Sequence, residues 1–530
     1  MAELGKNLIG FEWSSQGKAV LKAVNPKGLA ELEGEFYTST ETEVDRAMEK
    51  AHNAWLTYRN AGGKAKGAFL RAIADEIEAL GDTLIERVMQ ESGLPQARVT
   101  GERGRTCGQL RLFAQLVEEG SWIEAIVDTA IPDRQPAPKP DIRRMLTAIG
   151  PVVVFTASNF PLAFSTAGGD TASALAAGCP VVVKAHESHL GTNALIAGAI
   201  RKAAETAGMP DGVFSSLNGA GYQTGQLLVE HPLTKAVAFT GSLRGGKALY
   251  DLAAKRPEPI PVFAEMGSVN PVVFLPDYLT KNSEKAAQNL AGSVNLGVGQ
   301  FCTNPGLVFV LDHTGLPDFL VALKTAFAGS TPGTMLNPGI HRNFEFRKMG
   351  LLKETAVVTE FEWAGDADET QLQARQAFAS VTGQDFIQNP HLHEEIFGPF
   401  TLVVRCADPQ ELTNAVTALS GQLTASIWGE TGELNRHTGL IDVLQSKVGR
   451  LIFNGMPTGV EVCHAMQHGG PYPATTDSRF TSVGTTSIKR FARPVAYQDC
   501  PDEILPAELK QDNPLGIWRT LDGALSKNKG

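Results

Sequence analysis

The chain has 530 residues, 43% hydrophobic and 20% charged, with a formal net charge of −10 at pH 7. That length suffices for roughly three or four domains, and an acidic balance argues against a broad nucleic-acid surface. The six cysteines, Cys107, Cys179, Cys302, Cys406, Cys463 and Cys500, form no C-x-x-C pair, so neither a disulfide framework nor a metal site is expected, and reduced thiols in a cytoplasmic protein are the simplest reading.

The opening MAELGKNLIGFEW lacks a basic region followed by a long apolar stretch, so no signal peptide is expected. No apolar run reaches about 18 residues, so no membrane span is expected either. Residues 41–58, ETEVDRAMEKAHNAWLTY, and 64–93, KAKGAFLRAIADEIEALGDTLIERVMQESG, space apolar residues by three and four and predict helices. Thr40 or Thr42 could cap the first, Gly93 follows the second, and a third helix is predicted over 100–119. The proline- and charge-rich segment 128–145 reads as an exposed ribbon or connector.

From residue 150 the pattern changes. VVVF (152–155), VVVK (181–184), VFSSL (213–217), KAVAF (235–239) and IPVFAEM (260–266) are short apolar runs separated by helical segments. Such alternation predicts a parallel sheet covered on both faces, a doubly wound nucleotide-binding architecture. NPVVF (270–274), a helix over 283–297, TLVVRCA (401–407), ASIWG (425–429) and GRLIFN (449–454) predict a second α/β domain. TSIKRFARPVAYQ (486–498) reads as strand, and a polar tail follows.

Two glycine patterns fail as phosphate motifs. GAGYQTG (219–225) places its third glycine one position late for the dinucleotide fingerprint, and GSLRGGKA (241–248) has Ala248 where a P-loop needs a metal-binding hydroxyl. Alone, each reads as a tight strand-to-helix turn. Their context is more telling: Gly241 and Ser242 open a helix, where free N–H groups favour an anion, and Gly219 and Gly221 follow the carboxyl end of a strand, where open parallel sheets bind ligands.

Three segments carry nucleophile chemistry. In NLGVGQFCTNPG (295–306) glycines and Pro305 bend the chain around Cys302, which could present the sulfur at a cleft floor if positive potential favours its thiolate. Glu265 ends an apolar strand in FAEMGSVNP, where burial predicts a raised pKa and a general base; an exposed strand-end glutamate is the competing reading. Asn159 follows a buried strand in TASNFP, where its amide could donate to an oxyanion or simply cap a helix.

Taken together, SNFP, GCPVVVKAHE, FTGS, FAEMGSVNP, GQFCTNPG and EEIFGP stand in the order and spacing of the aldehyde dehydrogenase superfamily, which the chain resembles over about residues 25–500. The resemblance implies an α/β fold with a Rossmann-type cofactor-binding domain (1–120 and 148–264), a catalytic domain (265–483), a β oligomerisation ribbon (121–147 and 484–500) and a C-terminal tail (501–530). It implies Cys302 as nucleophile, Asn159 with the Cys302 N–H as oxyanion hole, and Glu265 as the base that hydrolyses the thioester. It further implies Lys184 and Glu187 at the adenine-side ribose, Gly241 and Ser242 near the pyrophosphate, and Glu395 and Phe397 at the nicotinamide ribose and ring, and Gly219 joins these cofactor candidates from its place after a strand's carboxyl end. A homodimer or homotetramer is implied as well. Many family members carry Pro-Trp before the asparagine, where this chain has Ala157 and Ser158.

The stretches GCPVVVKAHESHLGTN, GQFCTNPG and 466–498 resemble more closely the branch holding α-ketoglutaric semialdehyde dehydrogenases, which NADP-linked fatty aldehyde dehydrogenases also resemble. An acidic aldehyde needs donors for its carboxylate and keto group; Arg479, His468 and Ser482 are the candidates. Glu187 would accept from a free ribose 2′-hydroxyl and repel a 2′-phosphate, which favours NAD over NADP, while Lys184, His186 and His189 could soften that repulsion. The alternatives are a fatty aldehyde dehydrogenase, an acylating enzyme that uses coenzyme A, and a silent scaffold on the same fold. No nucleic-acid or membrane partner is expected.

Overall fold

The structure is a computed structural model and describes residues 4–529. Its helices follow from local rules. Thr40 accepts from the Glu43 N–H while the Glu43 carboxylate accepts from the Thr40 N–H, a reciprocal cap that starts Glu41–Tyr58. Val44, Ala47, Met48, Ala51 and Ala54 then share one buried face. The stretch 64–93 is two helices, Gly63–Ala79 and Gly81–Ser92, divided where Gly81 takes φ +56°, a conformation glycine adopts freely. A fourth helix, Gln96–Glu119, starts earlier than expected.

A first seven-stranded sheet runs in the order Val262–Glu265, Ala236–Thr240, Val152–Phe155, Val181–Lys184, Phe214–Leu217, Asn7–Ile9, Glu12–Ser14. Its first five strands are parallel and mostly buried, as runs of valine covered on both faces must be. The last two are an antiparallel edge that the apolar pattern does not announce. Its parallel part starts at Val152–Phe155, builds outward to one side, then returns to build the other. The switch point therefore lies between Val152–Phe155 and Ala236–Thr240, and a crevice forms there beyond the strands' carboxyl ends.

The second sheet runs Val358–Glu362, Ala377–Thr382, Phe400–Cys406, Leu307–Leu311, Val272–Phe274, Thr424–Trp428, Arg450–Phe453, parallel except at its first strand. A third sheet joins Ala492–Gln498, Ile142–Ala148, Ile126–Asp128, Arg519–Leu521 and Ala524–Ser526. This corrects the reading of 501–530 as a tail outside the ribbon. Thr520 and Leu521 pair with Ile126 and Val127, and Leu505, Leu509 and Ile517 bury themselves against Ile123 and Ala125. The tail's polar composition conceals this small core. Among the described residues no helix is long and apolar enough to cross a membrane.

Candidate active site

Glu265 is the last residue of a strand in the first sheet, opposite Thr240, and its backbone also bridges to Thr475. Met266 donates to the Ala474 carbonyl at 2.8 Å and Thr476 to that of Ala264 at 3.1 Å. This stitching carries the irregular segment around 468–482 onto the strand end. His468 Nε2 lies 2.9 Å from Glu265 Oε1, and the Ser482 hydroxyl donates to Glu265 Oε2. Ser482 and His468 are themselves joined, Ser482 N–H to His468 carbonyl at 2.8 Å. Glu265 is 3% exposed and His468 fully buried. A cavity of about 20 Å³, room for one water, touches Glu265, His468 and Ser482.

Cys302 arrives from the other domain. The turn Leu296–Gly299 holds Gly297, Val298 and Gly299 at φ +58°, +59° and +65°. Val298 is strained there, because a β-branched residue rarely adopts this region. Gly299 is required by space as well: a Cβ would sit 2.1 Å from the Gly398 carbonyl. Asn270 fixes the far side, its Nδ2 lying 2.9 Å from the carbonyls of both Cys302 and Asn304. The result is a half-buried sulfur 3.4 Å from His468 Nε2. The sulfur, the imidazole nitrogen and a Glu265 oxygen lie within 4.8 Å of one another.

These contacts decide protonation. Burial alone would raise the Glu265 carboxyl, but His468, Ser482 and the Cys302 thiol outweigh it and hold it below the ordinary value. The raised pKa expected from the sequence is thereby corrected: the strand end is buried, but it is not without partners. Burial pushes the Cys302 thiol well above its ordinary value, Glu265 pushes the same way, and Arg105 opposes them. At rest this is a protonated thiol beside an ionised carboxylate.

Asn159 meets the backbone of the segment that carries Cys302. Its loop is pinned by His189 Nε2 at 2.8 Å from the Ala157 carbonyl and by Glu102, which accepts from the Leu162 and Ala163 N–H groups at 2.8 and 2.9 Å. The amide donates to the Gln300 carbonyl at 3.1 Å, which leaves its second N–H for a ligand.

Two of the cofactor candidates, Lys184 and Glu187, share one cavity wall. Glu187 Oε1 accepts from the Gly221 N–H at 2.7 Å and lies 3.8 Å from Lys184 Nζ. A cavity of about 470 Å³ opens beside Lys184, His186 and Glu187, with Lys22 and Asn337 also in its wall. Gly219 is buried against Thr224. Gly241 and Ser242 stand exposed at the start of the 12-residue helix Leu243–Ala254. Lys247 pairs with Asp251 at 2.6 Å, so it is spent on its own helix. Glu395 comes so near Gly267 that a Cβ there would lie 2.5 Å from its Oε2. Burial pushes that carboxyl up to about 7, against the pull of the Ser268 N–H and Arg347. Phe397 is half-buried beside it. This donor set suits a dinucleotide: backbone N–H groups at a helix start for phosphates, and carboxylates for ribose hydroxyls. Burial lowers both His186 and His189, so neither brings positive charge at pH 7, and their expected softening of the Glu187 charge is corrected.

Of the three substrate candidates, His468 and Ser482 reach the centre, but they hold Glu265. Arg479 is not brought there: its side chain is 80% exposed and paired with Asp477. Sequence reasoning missed Asn270, Gln300 and Arg105. Arg98 and Arg105, seven apart on one helix, are the available signal for a shared face.

The family model described as the aldehyde dehydrogenase family matches residues 13–472. The chain is 50% identical over 520 residues to α-ketoglutaric semialdehyde dehydrogenase 2 of Azospirillum brasilense, covering 98% of this chain and 99% of that one. It is 44% identical over 525 residues to an α-ketoglutaric semialdehyde dehydrogenase of Acinetobacter baylyi, covering 99% of each. A betaine aldehyde dehydrogenase point mutant from Staphylococcus aureus, solved in complex with NAD+, shares the fold with a TM-score of 0.80 at 20% identity, over 94% of this chain and 98% of that one.

Proposed function

The chain belongs to the aldehyde dehydrogenase family, and from that premise we propose that it oxidises 2,5-dioxopentanoate to 2-oxoglutarate with a nicotinamide dinucleotide. The observation that carries the chemistry is the buried contact series from the Cys302 sulfur through His468 to Glu265.

Cys302 is the nucleophile. As an aldehyde carbon approaches, the thiol proton passes to the Glu265 carboxylate and from there to solvent, which leaves Glu265 ionised again, and the sulfur adds to give a thiohemiacetal. The second N–H of Asn159 and the backbone N–H of Cys302 receive the oxyanion. Lys184, Glu187, Gly219, Gly241, Ser242, Glu395 and Phe397 would hold a dinucleotide, which would supply the hydride acceptor when bound. A thioester then stands on Cys302. Glu265, kept ionised by His468 and Ser482, takes a proton from the water that attacks it. The water-sized cavity against Glu265 supports hydrolysis over transfer to coenzyme A. The two near-full-length semialdehyde dehydrogenase relatives support the substrate. The Glu187 side chain supports NAD over NADP: Lys184 lies 3.8 Å from it, and Lys22 in the same cavity wall is paired with Glu35 at 3.4 Å. The ribbon sheet supports a homodimer or homotetramer, and a soluble cytoplasmic enzyme is the setting this chemistry fits.

The test is formation of reduced cofactor from 2,5-dioxopentanoate with and without coenzyme A. Turnover without coenzyme A is expected, and Cys302→Ala should reduce it to background. Strict dependence on coenzyme A, or unchanged turnover in that variant, would reject the mechanism.

A further inference from the structure

Beside the thiol lies an apolar collar whose arginines the chemistry above does not use. Phe160, Phe164 and Phe301 pack edge to face, with Val460, Val462 and Met466 against them. The Phe164 ring is 6.2 Å from the His468 ring, so the collar adjoins the reacting sulfur. Three guanidinium groups stand around it, and two are spent. Arg98 pairs with Glu102 at 2.6 Å. Arg450 donates to the Pro457 and Gly459 carbonyls at 2.7 and 3.2 Å.

Arg105 is different. Its guanidinium carbon lies 5.2 Å from the Phe164 ring and 5.7 Å from Phe160. Its Nε and Nη2 are buried without a hydrogen-bond partner. Glu102 is the strongest charge acting on it, followed by the Cys302 and Glu265 sites, which places it within electrostatic reach of the reacting pair. An arginine cannot shed its charge, and buried donors left unpaired are costly. Two unpaired donors on one planar fork are what a carboxylate satisfies bidentately.

We propose that Arg105, on the face of Gln96–Glu119 toward the collar, is the carboxylate subsite of this enzyme and selects aldehydes with an acid group at the far end. The inference rests on the substrate reading above and gives it a residue. An extended five-carbon dioxo acid spans about 5 Å from aldehyde carbon to carboxylate, so its chain would lie along Phe164 with the acid group at Arg105. A fatty aldehyde would instead press alkyl chain onto the unpaired fork.

The test compares kcat/KM for 2,5-dioxopentanoate with that for pentanal, in wild type, Arg105→Leu and Arg105→Lys. The ratio of acid to neutral substrate is expected to fall on the order of 100-fold in Arg105→Leu, with Arg105→Lys between, because a point charge cannot reproduce the fork. A ratio within about two-fold of wild type in Arg105→Leu would overturn the subsite alone. A wild type that does not prefer the acid would overturn both the subsite and the substrate reading. Glutarate provides a measurement that needs no folded leucine variant: it should inhibit pentanal oxidation competitively in wild type and roughly ten-fold more weakly in Arg105→Lys. Equal inhibition of the two proteins, or none of wild type, would also overturn the subsite.

Discussion

The thiol centre and the sheet edge proposed for the dinucleotide are built on different physical terms. At the first, His468 and Glu265 are all but absent from the surface, and each is fixed by other protein groups. At the second, the Glu187 side chain is 46% exposed, and Ser242 is open to solvent. Burial magnifies charge–charge effects, whereas solvent screens them. Changes at the thiol centre should therefore be read in orders of magnitude and changes at the edge in small factors.

The largest effect should come from Glu265→Gln, which keeps the shape and removes the charge. Steady-state turnover should fall on the order of 1000-fold, while a rapid-quench experiment should still show a burst of about one reduced cofactor per thiol. Because Glu265 helps hold the Cys302 thiol up, the same variant should react faster with iodoacetamide at pH 7. Alkylation slowed in parallel with turnover would show that the two groups do not interact as the buried contacts require.

Next comes His468→Gln. Burial raises Glu265, and His468 is the strongest of the groups opposing it. The native carboxylate is therefore ionised down to pH values below the ordinary carboxylate range and loses that form only as the pH falls further. Without His468 the balance tips toward burial, so the acid limb of kcat should move to higher pH and activity at pH 7 should drop about ten-fold. An acid limb that stays in place would assign His468 to substrate contact, the role its position in the sequence suggests.

That second possibility shows where the sequence stops being readable. Strand ends announce themselves through apolar runs bounded by glycine, so Glu265, Asn159 and Gly241 can be placed at one sheet edge from the residue pattern alone. Segment 454–484 has no such period. What brings His468 and Ser482 to Glu265 is a backbone bridge at Thr475, a long-range pairing that leaves no local trace. Without those partners, burial is the one influence visible, and it points the Glu265 shift the wrong way. Arg105 is hidden differently. Its helix is legible, but an arginine on a helix is usually a solvated one, and only the packing of Phe160 and Phe164 across from it shows otherwise. Arg479 has the residue type a carboxylate needs but lies on the outer surface, beside Asp477.

The smallest effect should be at the nucleotide edge, and it sets the other end of the comparison. Glu187 is held by one backbone N–H and a distant lysine. Burial lowers the Lys184 ammonium while Glu187 pulls it back, and Lys22 in the same cavity wall is paired with Glu35 at 3.4 Å. Glu187→Gln keeps an acceptor for a ribose hydroxyl and removes the repulsion. The preference for NAD over NADP, measured as a ratio of kcat/KM values, should narrow by about five-fold at low salt and by less at high salt, since exposed charges contribute weakly and are screened. A change of several hundred-fold would mean that the edge closes over its ligand and buries Glu187, and the contrast between the two regions would then hold for the free enzyme only.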